Sequence, residues 1–252
     1  MKSQIKNIIF KCRKNIIRLY TLLFRSIFSI FHCNKDYKQI PIIINNFNRL
    51  EYLKCMIISL EKKGYNNIII LDNASTYPPL LNFYEICDYE IIRLENNLGH
   101  KALELSGLIK RFKKSYFVYT DPDLEIIDEC PDDFLLQMLK HLKRYPKIDK
   151  LALSLKIDDL PDCYVKKQEV IDWESRFYTN KYNGLYKADV DTTFALYNLN
   201  SVIGYDDDDF ACRTPYPLQC RHLPWYEDSS IISEEDKYYL EHKRKDVSWW
   251  MK

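Results

Sequence analysis

Four short apolar runs in the first half of the chain alternate with helical segments, and each run leads into asparagine or aspartate. The runs cover residues 41–44, 67–71, 89–94 and 116–120. Between them, residues 50–63 and 102–113 carry apolar side chains at helical spacing. Strand and helix in alternation predict a mainly parallel sheet with helices on both faces. Ligands bind such sheets at the carboxyl ends of the strands, so the repeated polar residues predict a site for a polar ligand there.

The overall composition narrows the class of protein. The chain has 252 residues, which is enough for one large α/β domain with a substantial core. Its formal net charge of +1 argues against a dedicated nucleic-acid binder, which usually carries a strong basic excess. With five glycines, it contains neither the Walker nor the Rossmann glycine fingerprint. Its eight cysteines are scattered without a CxxC pair, so we expect reduced cysteines in a cytosolic protein, with a secreted protein as the alternative because their number is even.

The N-terminal segment differs from the rest of the chain. Residues 1–36 hold eight lysines and arginines against one aspartate. On a helix, almost all the polar residues between Lys11 and Ser29 fall on one stripe, and apolar residues cover the remaining surface. Arg18 and Arg25 interrupt the apolar run that a transmembrane span needs. We therefore expect a basic amphipathic helix on an anionic membrane surface, with packing on the protein itself or on a partner subunit, or a true span, as alternatives.

The second half of the chain is less regular. Residues 131–144 have the pattern of a helix, residues 151–155 and 192–197 have the pattern of strands, and Asp206 to Asp209 form an acidic run typical of a solvated loop. The sequence shows no internal repeat and no second core. We therefore expect residues 37–252 to form one domain behind the N-terminal helix.

The triplet Asp121-Pro122-Asp123 follows the fourth apolar run and gives the strongest indication of chemistry. Two carboxylates at this spacing can hold one divalent cation, because Mg²⁺ and Mn²⁺ prefer hard oxygen ligands and share them readily with phosphate. Such a cation would neutralise a diphosphate leaving group. The same Asp-x-Asp spacing occurs at 189/191, 206/208 and 207/209, so position after an uninterrupted strand selects the first.

Four polar segments follow one another in a fixed order along the chain. They are Ile42-Ile43-Ile44-Asn45-Asn46-Phe47-Asn48-Arg49, Ile70-Leu71-Asp72-Asn73-Ala74-Ser75, Asn97-Leu98-Gly99 and Tyr119-Thr120-Asp121-Pro122-Asp123. This order resembles the family 2 glycosyltransferases of the GT-A fold, over roughly residues 38–226 and most strongly over 41–124. The later segments Trp173-Glu174, Asp191-Thr192-Thr193-Phe194 and Arg221-His222-Leu223-Pro224-Trp225-Tyr226 are similar to a bacterial and viral subgroup that builds surface glycans. The resemblance implies an α/β GT-A fold with a mainly parallel central sheet and flanking helices.

The resemblance also implies roles for individual residues. Asp72 would contact the base or ribose of a nucleotide, and Asp121 and Asp123 would hold the diphosphate and a divalent metal, Mn²⁺ or Mg²⁺. GT-A enzymes often take a third metal ligand from a late histidine, for which His222 is the candidate, with simple packing beside Trp225 as the alternative. The other residues implied in the nucleotide-sugar site are Asn45, Asn46, Asn48, Arg49, Asn97 and Gly99.

The chain departs from the family pattern at the catalytic base, because the Glu-Asp pair that often supplies it is absent from its usual setting. An inverting transferase needs a carboxylate or a histidine to take the acceptor hydroxyl proton. Asp191 is the first candidate, since it follows the metal triplet and immediately precedes an apolar strand. Asp159 and Glu174 are the alternatives, and each of the three is equally well interpreted as a structural or surface carboxylate. We expect the aromatic residues either to line an acceptor site or to belong to the core; they are Trp173, Phe177, Tyr178 and Tyr182.

Together these features predict a metal-dependent, inverting glycosyltransferase of the hexosyltransferase type. Its expected partners are a nucleotide-diphosphate sugar donor, a glycan or lipid-linked acceptor and an anionic membrane surface, with no nucleic acid. We expect it to act in surface polysaccharide or lipopolysaccharide biosynthesis, in the cytoplasm and peripherally on the inner face of the cell membrane. Two other functions remain open: a sugar-nucleotide nucleotidylyltransferase, which should carry a Gly- and Lys/Arg-rich loop after the first strand, and a catalytically inactive nucleotide-sugar-binding membrane scaffold.

Overall fold

The computed structural model describes residues 2–31, 34–191, 193–201 and 210–244. Its α-helices are α1 (Lys2–Phe31), α2 (Glu51–Lys62), α3 (Pro78–Tyr84), α4 (Ala102–Leu105), α5 (Ile109–Phe112), α6 (Phe134–Arg144), α7 (Lys167–Ser175) and α8 (Glu234–His242). Its strands are β1 (Ile42–Asn46), β2 (Ile68–Asp72), β3 (Glu90–Arg93), β4 (Phe117–Thr120), β5 (Leu124–Ile126), β6 (Lys150–Ala152), β7 (Ser154–Leu155), β8 (Lys181–Tyr182), β9 (Leu185–Lys187), β10 (Ala195–Tyr197), β11 (Ala211–Arg213) and β12 (Gln219–His222).

A central sheet with the strand order β3-β2-β1-β4-β10-β6-β11-β9-β8 organises the molecule. The four strands of its first half, β3, β2, β1 and β4, are all parallel. In the second half, β10 runs antiparallel to both β4 and β6, and only β6 and β11 pair in parallel. The register sets Asn46 beside Asp72 and Ile44 beside Thr120. The polar residues that follow β1, β2 and β4 therefore meet at one edge of the sheet.

A smaller sheet has the strand order β5-β12-β7. Its strand β5 begins shortly after β4 ends at that edge of the central sheet. Strand β12 pairs antiparallel with β5, and this register places His222 opposite Leu124. A residue from late in the chain is thereby brought next to Asp123, the last residue before β5. The sequence analysis did not predict this sheet.

The sheet is covered on both faces, as a parallel sheet requires. On one face, Ile42, Ile44 and Val118 pack with residues of α2 and α6 in the larger cluster of buried side chains. On the other face, Ile43 and Tyr119 belong to a second cluster that includes residues of α4 and α5. All five residues of β1 are buried. This burial explains why the strand has an uninterrupted apolar sequence rather than an alternating one.

Most predicted elements of the first half are confirmed, and the differences have local causes. The four apolar runs form β1 to β4, and residues 50–63 contain α2. The predicted helix over 102–113 divides into α4 and α5, because Gly107 between them has a φ of +78°, which ends an α-helix.

The second half shows further differences. The predicted strand over 151–155 divides between the two sheets as β6 and β7, and the strand predicted over 192–197 begins at Ala195. The helix predicted over 131–144 begins at Phe134. The acidic run Asp206 to Asp209 lies outside the described residues.

Helix α1 is attached to the domain by Arg25, a residue of the predicted polar stripe. Arg25 is 3% exposed, and its guanidinium donates to Leu199 O at 2.8 Å, Pro146 O at 2.9 Å and the Asp149 carboxylate at 2.8 Å. Phe28 packs against the core beside it. Packing of α1 on its own domain, one of the alternatives left open, is therefore present over the last turns of the helix.

The opposite face of α1 remains apolar and exposed. The exposed large side chains of this helix are Ile16, Ile17, Leu19, Tyr20, Leu23, Ile27 and Ile30. At about 100° per residue, all except Ile17 lie on the side away from Arg25. Within the described part of the chain, no helix has both the length and the apolar composition needed to cross a bilayer.

Candidate functional site

The loop after β1 is connected to the loop after β2 through Asn48. This residue is fully buried and has a φ of +53°, a left-handed conformation that asparagine tolerates better than most residues. Its side-chain oxygen accepts hydrogen bonds from the backbone N–H groups of Thr76 at 2.7 Å and Tyr77 at 2.9 Å, and its own N–H donates to Ser75 Oγ at 2.8 Å. Asn48 therefore fixes the relative position of two loops that line the predicted nucleotide site.

Asp72 is the centre of a buried hydrogen-bond network at the end of β2. Its carboxylate is fully buried and accepts from Tyr84 Oη at 3.1 Å, Arg93 Nε at 3.3 Å and the backbone N–H of Ser75 at 3.2 Å. Asn46 donates in turn to Tyr84 Oη at 3.0 Å. The network satisfies a buried charge with an arginine and several donors, so the carboxylate has a fixed orientation at the sheet edge.

The turn after β3 is held against the same edge. Asn97 accepts from the N–H of Gly99 at 2.9 Å, and Asn73 accepts from the N–H of Leu98 at 2.7 Å. The carbonyl of Gly99 accepts from Asn73 Nδ2 at 3.0 Å and from Asn45 Nδ2 at 3.4 Å. Gly99 has a φ of +71°, which explains the need for glycine at this position. The structure thus brings the predicted residues of β1, β2 and the turn after β3 into one polar cluster.

Asp123 and His222 lie in direct contact, although 99 positions separate them in the sequence. His222 Nε2 is 3.3 Å from Asp123 Oδ2, and the two side chains are 17% and 27% exposed. Burial raises the pKa of Asp123, but attraction and hydrogen bonding to His222 outweigh it, so the pKa lies below its ordinary value. The backbone N–H of Leu223 donates to Asp123 O at 2.8 Å and fixes the segment that carries the histidine. Asp123 and His222, two of the three predicted metal ligands, are thus neighbours in the fold, and their role as ligands stays a prediction.

The chemistry of this pair suits a divalent cation. A carboxylate oxygen and an imidazole nitrogen at contact distance form part of a ligand set, and His222 Nδ1 is buried without a hydrogen-bond partner among the described residues. Thr120 pairs with Ile44 near the end of β1. Asp121 is the next residue, so it lies at the same edge of the sheet. Over the described residues, no group of three His, Cys, Asp or Glu side chains is already assembled around a metal position. Asp121 would have to complete the set.

The three candidate bases occupy different environments. Glu174 is buried, and its carboxylate accepts from Arg213 Nη1 at 2.6 Å. Asp159 accepts from Arg221 Nη2 at 2.7 Å and from Tyr226 Oη at 2.6 Å, and these contacts outweigh burial and lower its pKa. Asp191 is exposed.

The aromatic residues around Glu174 differ in their environments. Trp173 is 42% exposed, with the guanidinium of Arg176 stacked 3.7 Å from its ring centroid. Tyr178 donates to Leu155 O at 2.5 Å, and Tyr182 packs on the core against Tyr145 and Phe210. Trp173 is therefore partly exposed beside Arg176, whereas the two tyrosines contribute to the fold.

Helix α8 packs over the loops after β1 and β2 and was not predicted. Its N-terminus is a capping box, in which Ser233 Oγ accepts from the N–H of Asp236 while the Asp236 carboxylate accepts from the N–H of Ser233. Asp236 also lies 2.5 Å from Arg49 Nη1. Ser233-Glu234-Glu235-Asp236 is a sequence signal that would have predicted the start of the helix. No local pattern would have indicated its contact with Arg49, which is 187 positions away.

Comparison with solved structures finds distant similarities. Staphylococcus aureus TarS, residues 1–349, matches 73% of this chain with 11% identity and a TM-score of 0.43, over 60% of its own length. Glucosyl-3-phosphoglycerate synthase from Mycobacterium tuberculosis, solved with Mn²⁺, UDP-glucose and phosphoglyceric acid, matches 63% of this chain with 14% identity and a TM-score of 0.39, over 56% of its own length. GalNAc-T7, solved with UDP, GalNAc and Mn²⁺, matches 46% of this chain with 16% identity and a TM-score of 0.37, over 22% of its own length. The chain thus spans less than two thirds of each of these proteins.

The sequence itself matches a known family. No curated protein matches the sequence of this chain. The profile of the family described as Glycosyl transferase family 2 matches residues 42–203. The matched region begins at β1, includes Asp72 and the Asp121-Pro122-Asp123 triplet, and covers more than half of the chain. The chain therefore belongs to glycosyl transferase family 2.

Proposed function

We propose that the protein is a glycosyltransferase that moves a sugar from a nucleotide-diphosphate sugar to a hydroxyl group of a glycan or lipid-linked acceptor. The observation that carries the proposal is the contact between Asp123 and His222 at the sheet edge where Asp72 and the loop residues converge. Membership of glycosyl transferase family 2 favours sugar transfer over nucleotidyl transfer. It also favours transfer over a role as an inactive scaffold.

The donor would lie across the carboxyl ends of β1, β2 and β4. Asp72 has no exposed surface and is held by Tyr84 and Arg93, so its hydrogen bond to the base or ribose would require these partners to shift when the donor binds. Asn45 has a buried side-chain oxygen without a hydrogen-bond partner among the described residues, and this oxygen would be satisfied by a donor group of the ligand. Asn46, Asn48, Asn97 and Gly99 hold the surrounding loops in place through the contacts described above.

The diphosphate would lie next to Asp121, Asp123 and His222, which would hold Mn²⁺ or Mg²⁺. A divalent cation bound there supplies positive charge to the leaving nucleoside diphosphate. Contact with His222 favours the ionised carboxylate of Asp123, and this is the form that a metal or a cationic group requires. The segment Leu223–Tyr226 then keeps the histidine beside the carboxylate.

We assign the catalytic base to Asp191 and propose that transfer proceeds with inversion. Glu174 is buried and neutralised by Arg213 at 2.6 Å, so it has neither the access nor the free oxygen needed to accept an acceptor proton. Asp159 is held by Arg221 and Tyr226, which lower its proton affinity. Asp191 is exposed, so its carboxylate would be accessible to an acceptor hydroxyl group. The partly exposed ring of Trp173, beside Arg176, would contribute to the contact surface for an acceptor sugar.

We further propose that α1 places the enzyme peripherally on the cytoplasmic face of a membrane, where it would contribute to surface polysaccharide or lipopolysaccharide biosynthesis. The helix contacts the domain through Arg25, while its apolar face, including Ile16, Leu23 and Ile27, points away from the domain. Arg18 is exposed on the same helix and is suited to anionic headgroups.

Vesicle sedimentation tests the membrane proposal. The full chain should pellet with vesicles that contain phosphatidylglycerol, and the double variant Leu23→Ser/Ile27→Ser should remain in the supernatant. A double variant at exposed apolar positions elsewhere, Ile58→Ser/Ile86→Ser, is the matched control and should pellet like the wild type. Equal pelleting by all three proteins would remove the membrane role of α1.

A donor screen tests the transferase proposal. The protein is incubated with Mn²⁺ and with uridine, guanosine and thymidine diphosphate sugars, and release of the nucleoside diphosphate is measured. We expect release from one class of donor, loss of release in Asp123→Asn, and unchanged release in Asp162→Asn, whose side chain is 98% exposed. Equal release by the wild type and by Asp123→Asn would place the chemistry elsewhere.

A further inference from the structure

The C-terminal segment 227–244, called the strap below, crosses the loops at which the proposed donor would bind. Tyr238 Oη lies 3.0 Å from Thr76 O, in the loop after β2, and its ring packs 5.0 Å from that of Tyr77. Arg244 donates to Asn97 O at 3.2 Å, in the turn after β3. The strap thereby contacts two of the loops that the site requires.

Arg49, after β1, forms the third and strongest contact with the strap. It is 5% exposed, and its Nη1 lies 2.5 Å from the Asp236 carboxylate and 4.0 Å from that of Glu235. Its guanidinium also lies 3.9 Å from the ring centroid of Tyr239 and 5.0 Å from that of Tyr52. The cation is thus covered by aromatic rings and neutralised by carboxylates of the same polypeptide.

The second carboxylate of the strap binds at the start of α2. Glu235 accepts hydrogen bonds from the backbone N–H groups of Leu50 at 2.8 Å and Glu51 at 3.2 Å. Free N–H groups at the beginning of a helix attract anions. Arg49 and the first turn of α2 therefore form one anion-binding position, which Glu235 and Asp236 fill.

Tyr239 of the strap is influenced by the charges of the Asp121-Pro122-Asp123 triplet. Burial raises the pKa of Tyr239 to about 12, Arg49 opposes this rise, and the negative charges of Asp123 and Asp121 add to it. Tyr239 therefore lies within electrostatic range of both aspartates. The acidic first turn of α8 contacts Arg49 and the start of α2, and Tyr239 of the same helix is influenced by the charges of the triplet, beside which the proposed donor would carry its diphosphate.

We propose that the strap is an internal competitor of the donor, whose carboxylates occupy the position of an anionic ligand until it undocks. This inference rests on the proposed function, since it assigns regulation to the same site. A nucleoside diphosphate and the Glu235–Asp236 pair carry charge of the same sign, so they would repel each other and compete for Arg49 and the first N–H groups of α2. Only molecules with an undocked strap bind the donor, so the apparent affinity equals the intrinsic affinity multiplied by the undocked fraction.

The test compares three full-length variants with the wild type. Asp236→Asn removes the charge that pairs with Arg49, Tyr238→Phe removes the contact with Thr76 and keeps the charge, and Glu234→Gln changes an exposed carboxylate of the same helical turn. Calorimetric titration with UDP and GDP, each with Mn²⁺, gives the affinity. Hydrogen exchange of residues 234–242 gives the docked fraction, and thermal melting confirms that each variant is folded.

We expect Asp236→Asn to bind the nucleoside diphosphate about tenfold more tightly and to exchange faster in α8. Tyr238→Phe should shift both quantities in the same direction by a smaller factor, and Glu234→Gln should match the wild type. Weaker binding by Asp236→Asn would overturn the inference, because it would mean that Asp236 positions Arg49 for the donor. Unchanged affinity together with faster exchange would overturn it as well, whereas absence of binding by every variant would refute the proposed function and the inference with it.

Discussion

The replacement Arg25→Ala tests whether α1 is docked as the structure shows. Arg25 is 3% exposed and is the only side chain of α1 for which the structure gives hydrogen bonds to the domain, within the described residues. Its guanidinium donates to two carbonyls, to the Asp149 carboxylate and to Ser201 Oγ. Alanine would leave the Asp149 charge and both carbonyls without this partner.

The magnitude follows from the degree of burial. Removing one partner of a buried ion pair costs about 3–5 kcal/mol, because the remaining charge is left uncompensated. Asp149 is 21% exposed and also accepts from the N–H of Phe210 at 2.9 Å, so it keeps part of its solvation. We therefore expect the lower end, about 3 kcal/mol of lost unfolding free energy. For a chain of this size, this corresponds to a fall in Tm of about 6–12 °C.

Urea unfolding of Arg25→Ala and of the control Arg18→Ala measures the effect. Arg18 is exposed on the same helix, so its replacement should change the unfolding free energy by less than about 0.5 kcal/mol. A double-mutant cycle with Asp149→Asn should give a coupling energy above about 1 kcal/mol. Equal stability of the two arginine variants would refute the docking of α1 through Arg25.

Two further predictions concern the site. Asp191→Asn should lower the rate of sugar transfer by about 10²–10⁴-fold at unchanged donor affinity. Glu174→Gln should chiefly lower the urea midpoint of unfolding, because it breaks the buried pair with Arg213. A larger loss of transfer rate in Glu174→Gln than in Asp191→Asn would reassign the base. Gly99→Ala and Gly107→Ala should each cost about 1–2 kcal/mol of stability, because both residues have positive φ, but only Gly99→Ala should also weaken UDP or GDP binding. Equal donor affinity in the two glycine variants would show that the turn after β3 lies outside the donor site.

The first half of the fold could be predicted because its strands are buried on both faces. Strand β1 has an apolar sequence that ends in asparagine, so both the element and its functional end are visible locally. The second half offers no such pattern. Strands β6 and β11 have three residues each and contain Lys150 and Arg213, two buried cations whose partners come from distant parts of the chain.

Local sequence patterns are equally insufficient to predict the contacts within the site and the docking of α1. The Asp121-Pro122-Asp123 triplet was visible from its position after a strand, but the register of β12 against β5 places His222 beside it, and pairing over that distance leaves no local signature. Arg25 fits a polar stripe in the sequence, yet it is buried because Asp149, 124 positions away, supplies the opposite charge. Sequence patterns predict which residues are polar at an element's end, whereas long-range contacts decide which of them meet.

The central claim is tested most directly by calorimetric titration of the wild type, Asp123→Asn and Asp162→Asn with UDP and GDP, each with Mn²⁺ and with EDTA. The account predicts that the wild type and Asp162→Asn bind one of these nucleoside diphosphates when Mn²⁺ is present and lose this binding in EDTA. Asp123→Asn should bind it more than about tenfold more weakly in Mn²⁺, because a metal ligand is lost. Binding that is equally tight in EDTA, or equally tight in Asp123→Asn, would contradict the claim that Asp123 and His222 form the metal and diphosphate site of a glycosyltransferase.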